Sequence, residues 1–196
     1  MSKIIRASIL GATALGLVLS LGAVSSTSTL AKMDEKTMMV GGAAMYPNKN
    51  IIENAVNSKD HTTLVAAVKA AGLVDTLSGP GPFTVFAPTN AAFAKLPAGT
   101  VDTLLKPENK ATLVKILTCH VVGANALSPA IAKMIADDKG EHDVKTLGGC
   151  ILKAKMVGKE ITLTDENGTT AFVTIADVKQ SNGVIHVIDT VLMPAT

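Results

Sequence analysis

Along this chain the spacing of apolar residues is mainly helical in the first part and strand-like in the last, with one short strand set among the helices. Between Asn50 and Ile135 apolar positions recur three and four apart, and after Gly140 they alternate or run together. Ile51, Ile52, Ala55 and Val56 predict a helix opening at Asn50. Leu64, Val65, Val68 and Ala71 predict a second, capped by Asp60 or Thr62 and stopped by Gly72. A short turn over 73–77 precedes the breaker Gly79-Pro80-Gly81-Pro82. Residues 83–87 read as a strand, and Thr89 or Asn90 caps a helix through Phe93. A short helix follows over 100–105. Pro107 suits the first turn of a helix whose inner face is Leu113, Ile116 and Leu117, and Ser128-Pro129 opens another through Ile131, Met134 and Ile135. Strands are predicted over 144–147, 151–157, 161–164, 171–176 and 184–192, with hairpin turns at Gly158-Lys159 and Asn167-Gly168. The last strand follows the turn Ser181-Asn182-Gly183 and stays apolar at successive positions, as a strand buried on both faces would.

Helices first and strands after predict an α+β layer arrangement with mostly antiparallel pairing. The length suits one domain around one core. Residues 32–46 are Met- and Gly-rich without a period and read as a loose arm before a domain over 47–196. No internal repeat or low-complexity linker divides that domain.

The amino terminus sets the expected compartment. Lys3 and Arg6 precede an uncharged stretch rich in Leu, Ala and Gly, and small residues end at Thr29-Leu30-Ala31. This order predicts a secretory signal peptide over 1–31, cleaved near Ala31 or, alternatively, near Ser25. An uncleaved anchor is the competing reading, and the apolar stretch is short for a span of about 20 residues. No stable membrane insertion is expected after cleavage, and the product is expected to be secreted or periplasmic. Cleavage also changes the charge: the chain from Lys32 carries 16 Lys, 16 acids and no Arg. Nucleic-acid binding leans on clustered basic charge and Arg forks, so that class is set aside. One Tyr, no Trp and four Phe offer no stacking platform for bases.

Two blocks carry the most distinctive sequence. Thr84-Val85-Phe86-Ala87-Pro88-Thr89-Asn90-Ala91-Ala92-Phe93 and Asn182-Gly183-Val184-Ile185-His186-Val187-Ile188-Asp189 resemble the two signature motifs of the fasciclin (FAS1) family. The likeness covers about 46–194 and extends to single-domain secreted bacterial members similar to mycobacterial antigens. It implies a wedge of two small, mostly antiparallel sheets with helices on one side. In the motifs Thr84, Phe86, Pro88, Thr89, Asn90, Phe93, Asn182, Gly183, His186 and Asp189 stand as structural positions. The resemblance also implies adhesion or extracellular protein interaction without catalysis. The family usually has Tyr-His where this chain has Cys119-His120, a pair implicated in adhesion by animal members. Asp177-Val178 occupies the place of an Asp-Ile dipeptide through which some animal members contact integrins. His120, Asp177, Val178 and His186 are therefore the interaction candidates. Each also has a structural reading, the histidines as core hydrogen-bonders holding strand ends and Asp177 as a turn cap.

Other chemistry is sparse. Cys119 and Cys150 are the only cysteines, so an oxidising compartment allows one disulfide, with two buried thiols as the alternative. Cys119 and His120, if extended, point to opposite sides and cannot share a proton. Asp137 to Asp143 gathers four acids and His142, without the spacing of an EF-hand loop or a zinc site, and reads as a solvated loop. Met38, Met39 and Met45 lack a His or Cys neighbour for copper. The expected protein has no cofactor and no metal, acts as a monomer and binds an extracellular or cell-surface protein or matrix ligand. A structural envelope protein or a small-ligand carrier is the alternative, the carrier requiring a cleft that unites His120, His186 and Asp189.

Overall fold

The computed structural model describes residues 37–195. The expected signal peptide and residues 32–36 of the arm lie outside the described residues. Seven helices and nine strands follow among those described. The helices are α1 (Ile51–Ala55), α2 (Thr62–Ala71), α3 (Val74–Ser78), α4 (Asn90–Ala94), α5 (Thr100–Leu104), α6 (Lys110–Thr118) and α7 (Ser128–Asp137). The strands are β1 (Met38–Val40), β2 (Ala43–Met45), β3 (Phe83–Pro88), β4 (Val121–Val122), β5 (Glu141–Lys145), β6 (Ile151–Val157), β7 (Glu160–Thr164), β8 (Thr170–Gln180) and β9 (Gly183–Ile188).

Residues 38–45 correct the expectation of a loose arm. They form an antiparallel hairpin that sets Met38 opposite Met45, and Val40 and Met45 are buried in the core. Gly41 and Gly42 both have positive φ, 58° and 75°, which matches the twist of a tight hairpin turn. Strands of three residues are too short for an alternating pattern to show.

The larger sheet runs in the order β4-β3-β9-β8-β7-β6-β5. Only β3 and β9 pair in parallel within it. β8 is long enough to serve two neighbours: Thr170 to Phe172 pair with β7, and Val173 to Gln180 pair with β9. Two register irregularities interrupt the second stretch, and bulges of this kind bend and twist a strand. The strands thus form two small sheets that share β8.

Each sheet has its own apolar cluster. Helices α2 and α6 bring Leu64, Val68, Leu113, Ile116 and Leu117 against Val85, Ala87, Ile185 and Val187. Helix α7 brings Ile131 and Ile135 against Leu152, Leu163 and Ala171, joined by Phe86 and Ile188 from the other side of β3 and β9. Successive residues of β3 and β9 therefore enter different clusters, which is why both strands are buried at successive positions. The two strands start very close together. A Cβ on Gly183 would lie 2.0 Å from the Phe83 carbonyl oxygen, and one on Gly81 would lie 1.9 Å from that of Asn182.

The segment from Asp137 to Asp143 is another correction, because Glu141 to Asp143 begin edge strand β5 rather than a loop. Its charges face outward on an alternating edge, a common protection against unwanted strand pairing.

The expected disulfide is present. Cys119, at the end of α6, joins Cys150 at the start of β6 with 5.3 Å between the Cα atoms and 31 residues of separation. Closing a loop of that length stabilises by about 3–4 kcal/mol in the chain-entropy model. Reduction should lower the free energy of unfolding by that amount, seen as a lower denaturant midpoint in reductant. An unchanged midpoint with two titratable thiols in the native protein would remove the bridge from the account.

Candidate functional site

The polar residues of the two signature blocks act as ties between distant elements. Asn182 sits in the turn before β9. Its Nδ2 donates to the carbonyls of Leu77 (2.8 Å) and Gly79 (2.9 Å) at the end of α3, and its Oδ1 accepts from the Ile51 N–H (3.0 Å) at the start of α1. One side chain thereby caps two helices. Asn90 does the same for α2, accepting from the Thr63 N–H (3.0 Å) and donating to Lys59 O (2.8 Å). Neither Asp60 nor Thr62, expected as the cap, fills that role: α2 has no side-chain cap from its own N-terminal residue. Thr89 caps α4 through the Ala92 N–H (3.2 Å). Thr84 is buried in β3, donates to Ala124 O (2.6 Å) and accepts from the Ala126 N–H (2.8 Å). Phe93 is buried among the α2 and α6 side chains, and Pro88 ends β3 opposite Ile188.

Asp177 lies in the irregular part of β8 with φ 60°, a conformation that Asp tolerates better than most residues. Its carboxylate accepts from the Ser128 N–H (2.6 Å) and from the Ser128 hydroxyl. A negative charge at the first turn of α7 satisfies an unpaired donor and suits the helix dipole. The turn cap considered for Asp177 is in fact the cap of a distant helix.

The two histidines are pins. His120 Nδ1 faces the Ile116 carbonyl (2.9 Å), so it carries the proton. Its Nε2 then accepts from the Leu192 N–H (3.0 Å), tying the carboxy-terminal segment to the end of α6. His186 has the opposite tautomer: Nε2 donates to Ala126 O (2.8 Å) and Nδ1 accepts from the Asp177 N–H (3.2 Å). Its ring stacks on Phe86 with centroids 5.7 Å apart. Burial lowers the pKa of both rings. The Ile116 carbonyl and Asp165 oppose this at His120, as the Ala126 carbonyl and Asp177 do at His186. Both rings are neutral because protonation would place hydrogen on a nitrogen that already receives a backbone N–H.

These facts correct the interaction candidates. His120, Val178 and His186 are 2%, 1% and 0% exposed, and the half-buried Asp177 has both carboxylate oxygens engaged. A partner of the folded chain cannot reach the first three. His120, His186 and Asp189 are not united in a cleft. Asp189 accepts from the Phe172 N–H (2.8 Å) and from Lys95 Nζ (3.1 Å). Burial would raise its pKa, but the Phe172 N–H, the Lys95 ammonium and the Thr190 hydroxyl together hold it below the ordinary carboxylate value. Cys119 closes a helix rather than lying extended, and its sulfur is in the disulfide.

Three groups that sequence reasoning missed also matter. Buried Asp165 accepts from the N–H groups of Asn167 (3.0 Å), Thr169 (2.8 Å) and Met193 (2.8 Å), fixing the β7–β8 turn and the carboxy-terminal segment. Buried Asn54 donates to Gln180 and to Tyr46 O (2.8 Å). His61, buried before α2, places Nδ1 2.8 Å from Ser58 Oγ. Burial lowers its pKa. The nearby Ala87 carbonyl and Asp60 oppose this, but no hydrogen bond of ordinary geometry reaches Nε2, which is left without a partner. No sequence period marks these residues.

The solvent side of the β5–β8 sheet has a different character. Glu141, Lys155, Thr162 and Phe172 occupy one row across it; Thr162 is itself buried, while Ile151, Lys153 and Val157 are exposed beside the row. Lys153 and Lys155 each approach Glu141 at 2.6 Å. Hydrogen bonds from Lys153 and then Lys155 lower the Glu141 pKa to about 2. Exposed pairs of this kind add little stability.

Two outcomes follow from the ties. Asn182→Ala should cost about 2–4 kcal/mol in denaturant unfolding, because it strands two carbonyls and one N–H. A loss below about 0.5 kcal/mol would show that water replaces the caps. Stability should also fall as pH drops below about 6.5, the unfolded histidine pKa. There the unfolded chain gains protons that the folded rings refuse, at up to about 1.4 kcal/mol per pH unit for each buried histidine. Unfolding curves at pH 7.5 and 5.5, set against a His186→Gln variant with a smaller slope, check the sign.

The fasciclin domain profile matches residues 59–194. Protein sll1483 of Synechocystis is 48% identical over 170 residues, 86% of this chain and 87% of that protein. Immunogenic protein MPB70 of Mycobacterium bovis is 38% identical over 149 residues, 71% of this chain and 66% of its own length. Cell surface glycolipoprotein MPB83 of the same species is 39% identical over 160 residues, 79% of this chain and 64% of its own. The fold superimposes on the FAS1 domain pair of the insect cell adhesion molecule fasciclin I with a TM-score of 0.66 and 19% identity, covering 75% of this chain and 51% of that one. Signature blocks, fold and relatives agree: the chain belongs to the fasciclin domain family.

Proposed function

We propose that this chain is a secreted or periplasmic fasciclin-domain protein that mediates cell adhesion or extracellular protein interaction and has no catalytic role. One observation carries the reading: the titratable and polar side chains of both signature blocks are consumed by hydrogen bonds that hold backbone. A general acid or base must reach a substrate proton, and His120 and His186 have both ring nitrogens occupied by the fold itself. The fasciclin I structure comes from a cell adhesion molecule and MPB83 is a cell surface glycolipoprotein, which favours the same class of work for this chain. The signal peptide over 1–31 belongs to this proposal, as does action as a monomer.

In this reading His120, Asp177, Val178 and His186 serve recognition indirectly, by fixing the strands. The partner is a protein, and it meets the outward face of β5–β8. That face joins Phe172, Ile151 and Val157 to the Lys153–Glu141–Lys155 cluster, and apolar residues ringed by charge suit a protein partner better than a small ligand. The test is titration of the isolated protein against cell-wall, matrix and host-surface proteins. Saturable binding is expected, weakened at least about tenfold by Phe172→Ser or Lys153→Glu with an unchanged melting temperature. Uniform failure across the panel would count decisively against adhesion.

A further inference from the structure

Helices α1, α2 and α3 do not fill the space they enclose with β3, β8 and β9. A partly open pocket remains, with about 50 Å³ in which the centre of a water-sized sphere can move, walled by Ile51, Leu64, Val68, Val85, Val178 and Ile185. The β1–β2 hairpin closes it through Val40 and Met45. The lining residues that reach solvent, Ile52, Ala55, Val65, Lys69 and Val74, lie on the three helices, so the opening is between them. His61 also lines the space and is 3% exposed. Its Nε2 is the one buried side-chain nitrogen or oxygen among the described residues without a hydrogen-bond partner. A buried polar atom left unpaired costs about 1–3 kcal/mol, and in a native structure it calls for an explanation.

We propose that this cavity binds a small apolar alcohol or phenol, with its hydroxyl on His61 Nε2 and its hydrocarbon against the Leu, Ile and Val walls. The choice of a hydroxyl follows from Ser58. The contact between Ser58 Oγ and His61 Nδ1 forms with either atom as donor, so Nε2 is either a donor or an acceptor. A hydroxyl satisfies both cases, whereas a carbonyl satisfies one. A carboxylate on the buried His61 would carry charge into an apolar space, the one lining ammonium, Lys69, being solvent-exposed, and a pure hydrocarbon would leave Nε2 as it is. Water alone fits poorly. The volume holds more than one molecule, each needs two to four polar partners, and the lining offers few. His120 also lines the space, but both its nitrogens are already engaged. This inference goes beyond the adhesion reading and does not depend on it.

Phenol and toluene have nearly the same shape and differ in the hydroxyl, so the pair isolates the predicted contact. The full chain, with its disulfide intact, is titrated with each while histidine ring nitrogens and core methyl groups are followed by NMR. Phenol should saturate with shifts at His61 Nε2 and the Val68 and Ile185 methyls, and bind about tenfold tighter than toluene. His61→Phe should abolish that preference, and Val68→Phe should abolish binding of both. Should a variant fail to fold, the wild-type contrast and the His61 shift decide alone. Equal affinities, shifts remote from the cavity, a persistent buried water on Nε2 at saturating phenol, or no binding at millimolar concentrations would each overturn the proposal.

Discussion

Helices too short to satisfy themselves impose the constraint on which this fold rests. Four of the seven described helices have five residues each. A helix leaves its first four N–H groups and last four carbonyls without internal partners, so in five residues most backbone groups need help from outside. Two of these helices solve part of the problem locally, α1 with a capping box between Asn50 and Glu53 and α4 with the Thr89 hydroxyl on the Ala92 N–H. Elsewhere the help comes from strand ends and turns: Asn182 for α1 and α3, Asn90 for α2, Asp177 for α7. Each cap therefore binds a helix to the sheet as well as completing the helix. Helical and sheet order become one cooperative unit, and the alternative is a set of fragments too short to persist alone in water.

The parallel pair β3–β9 gives these caps their positions. Asn182 immediately precedes β9, and Asn90 follows β3 by two residues. Phe83 to Pro88 pair in register with Gly183 to Ile188, so sliding either strand would displace both asparagines from their helices. Gly81 and Gly183 permit the close approach that sets this register, and a side chain at either would collide with backbone. Phe86 and His186, side by side in the same register, stack and carry the tie onward to Ala126 and Asp177.

Much of the architecture was legible because period and turn chemistry survive in single elements. β6 occupies 151–157 as its alternation predicted, and α7 begins at Ser128-Pro129. The strand predicted over 184–192 is present and buried on both faces, but it ends at Ile188. The β1–β2 hairpin was not legible, because three residues carry no period and Met is compatible with arm and core alike. The edge strand at Glu141 was hidden by its own protective charge. At the site, the disulfide followed from cysteine count, and the histidines were readable as pins of strand ends. What they pinned was not: the caps by Asn182 and Asp177 join residues 105, 131 and 49 positions apart, distances at which one sequence holds no trace of contact. Family likeness pointed to His120 and Asp177-Val178 as contact residues, but a motif reports that a position is constrained without saying whether scaffold or partner constrains it.

That ambiguity resolves here by counting hydrogen-bonding capacity. A neutral imidazole has one donor and one acceptor, and His120 and His186 have spent both on the backbone. The Asp177 carboxylate is likewise committed to Ser128. Residues so occupied cannot change partners without releasing a helix or a strand, so they are poor material for recognition that must vary. The outward positions of β5, β6 and β8 are under no such obligation. Their side chains alternate away from the core, and exchanging them leaves every cap in place. A fold tied internally by a few shared polar residues can therefore keep its frame while its exposed sheet face diversifies. His61 stands outside this economy: its ring is buried like the other two, but only one of its nitrogens is used. Among the buried histidines it alone retains hydrogen-bonding capacity that the scaffold does not need.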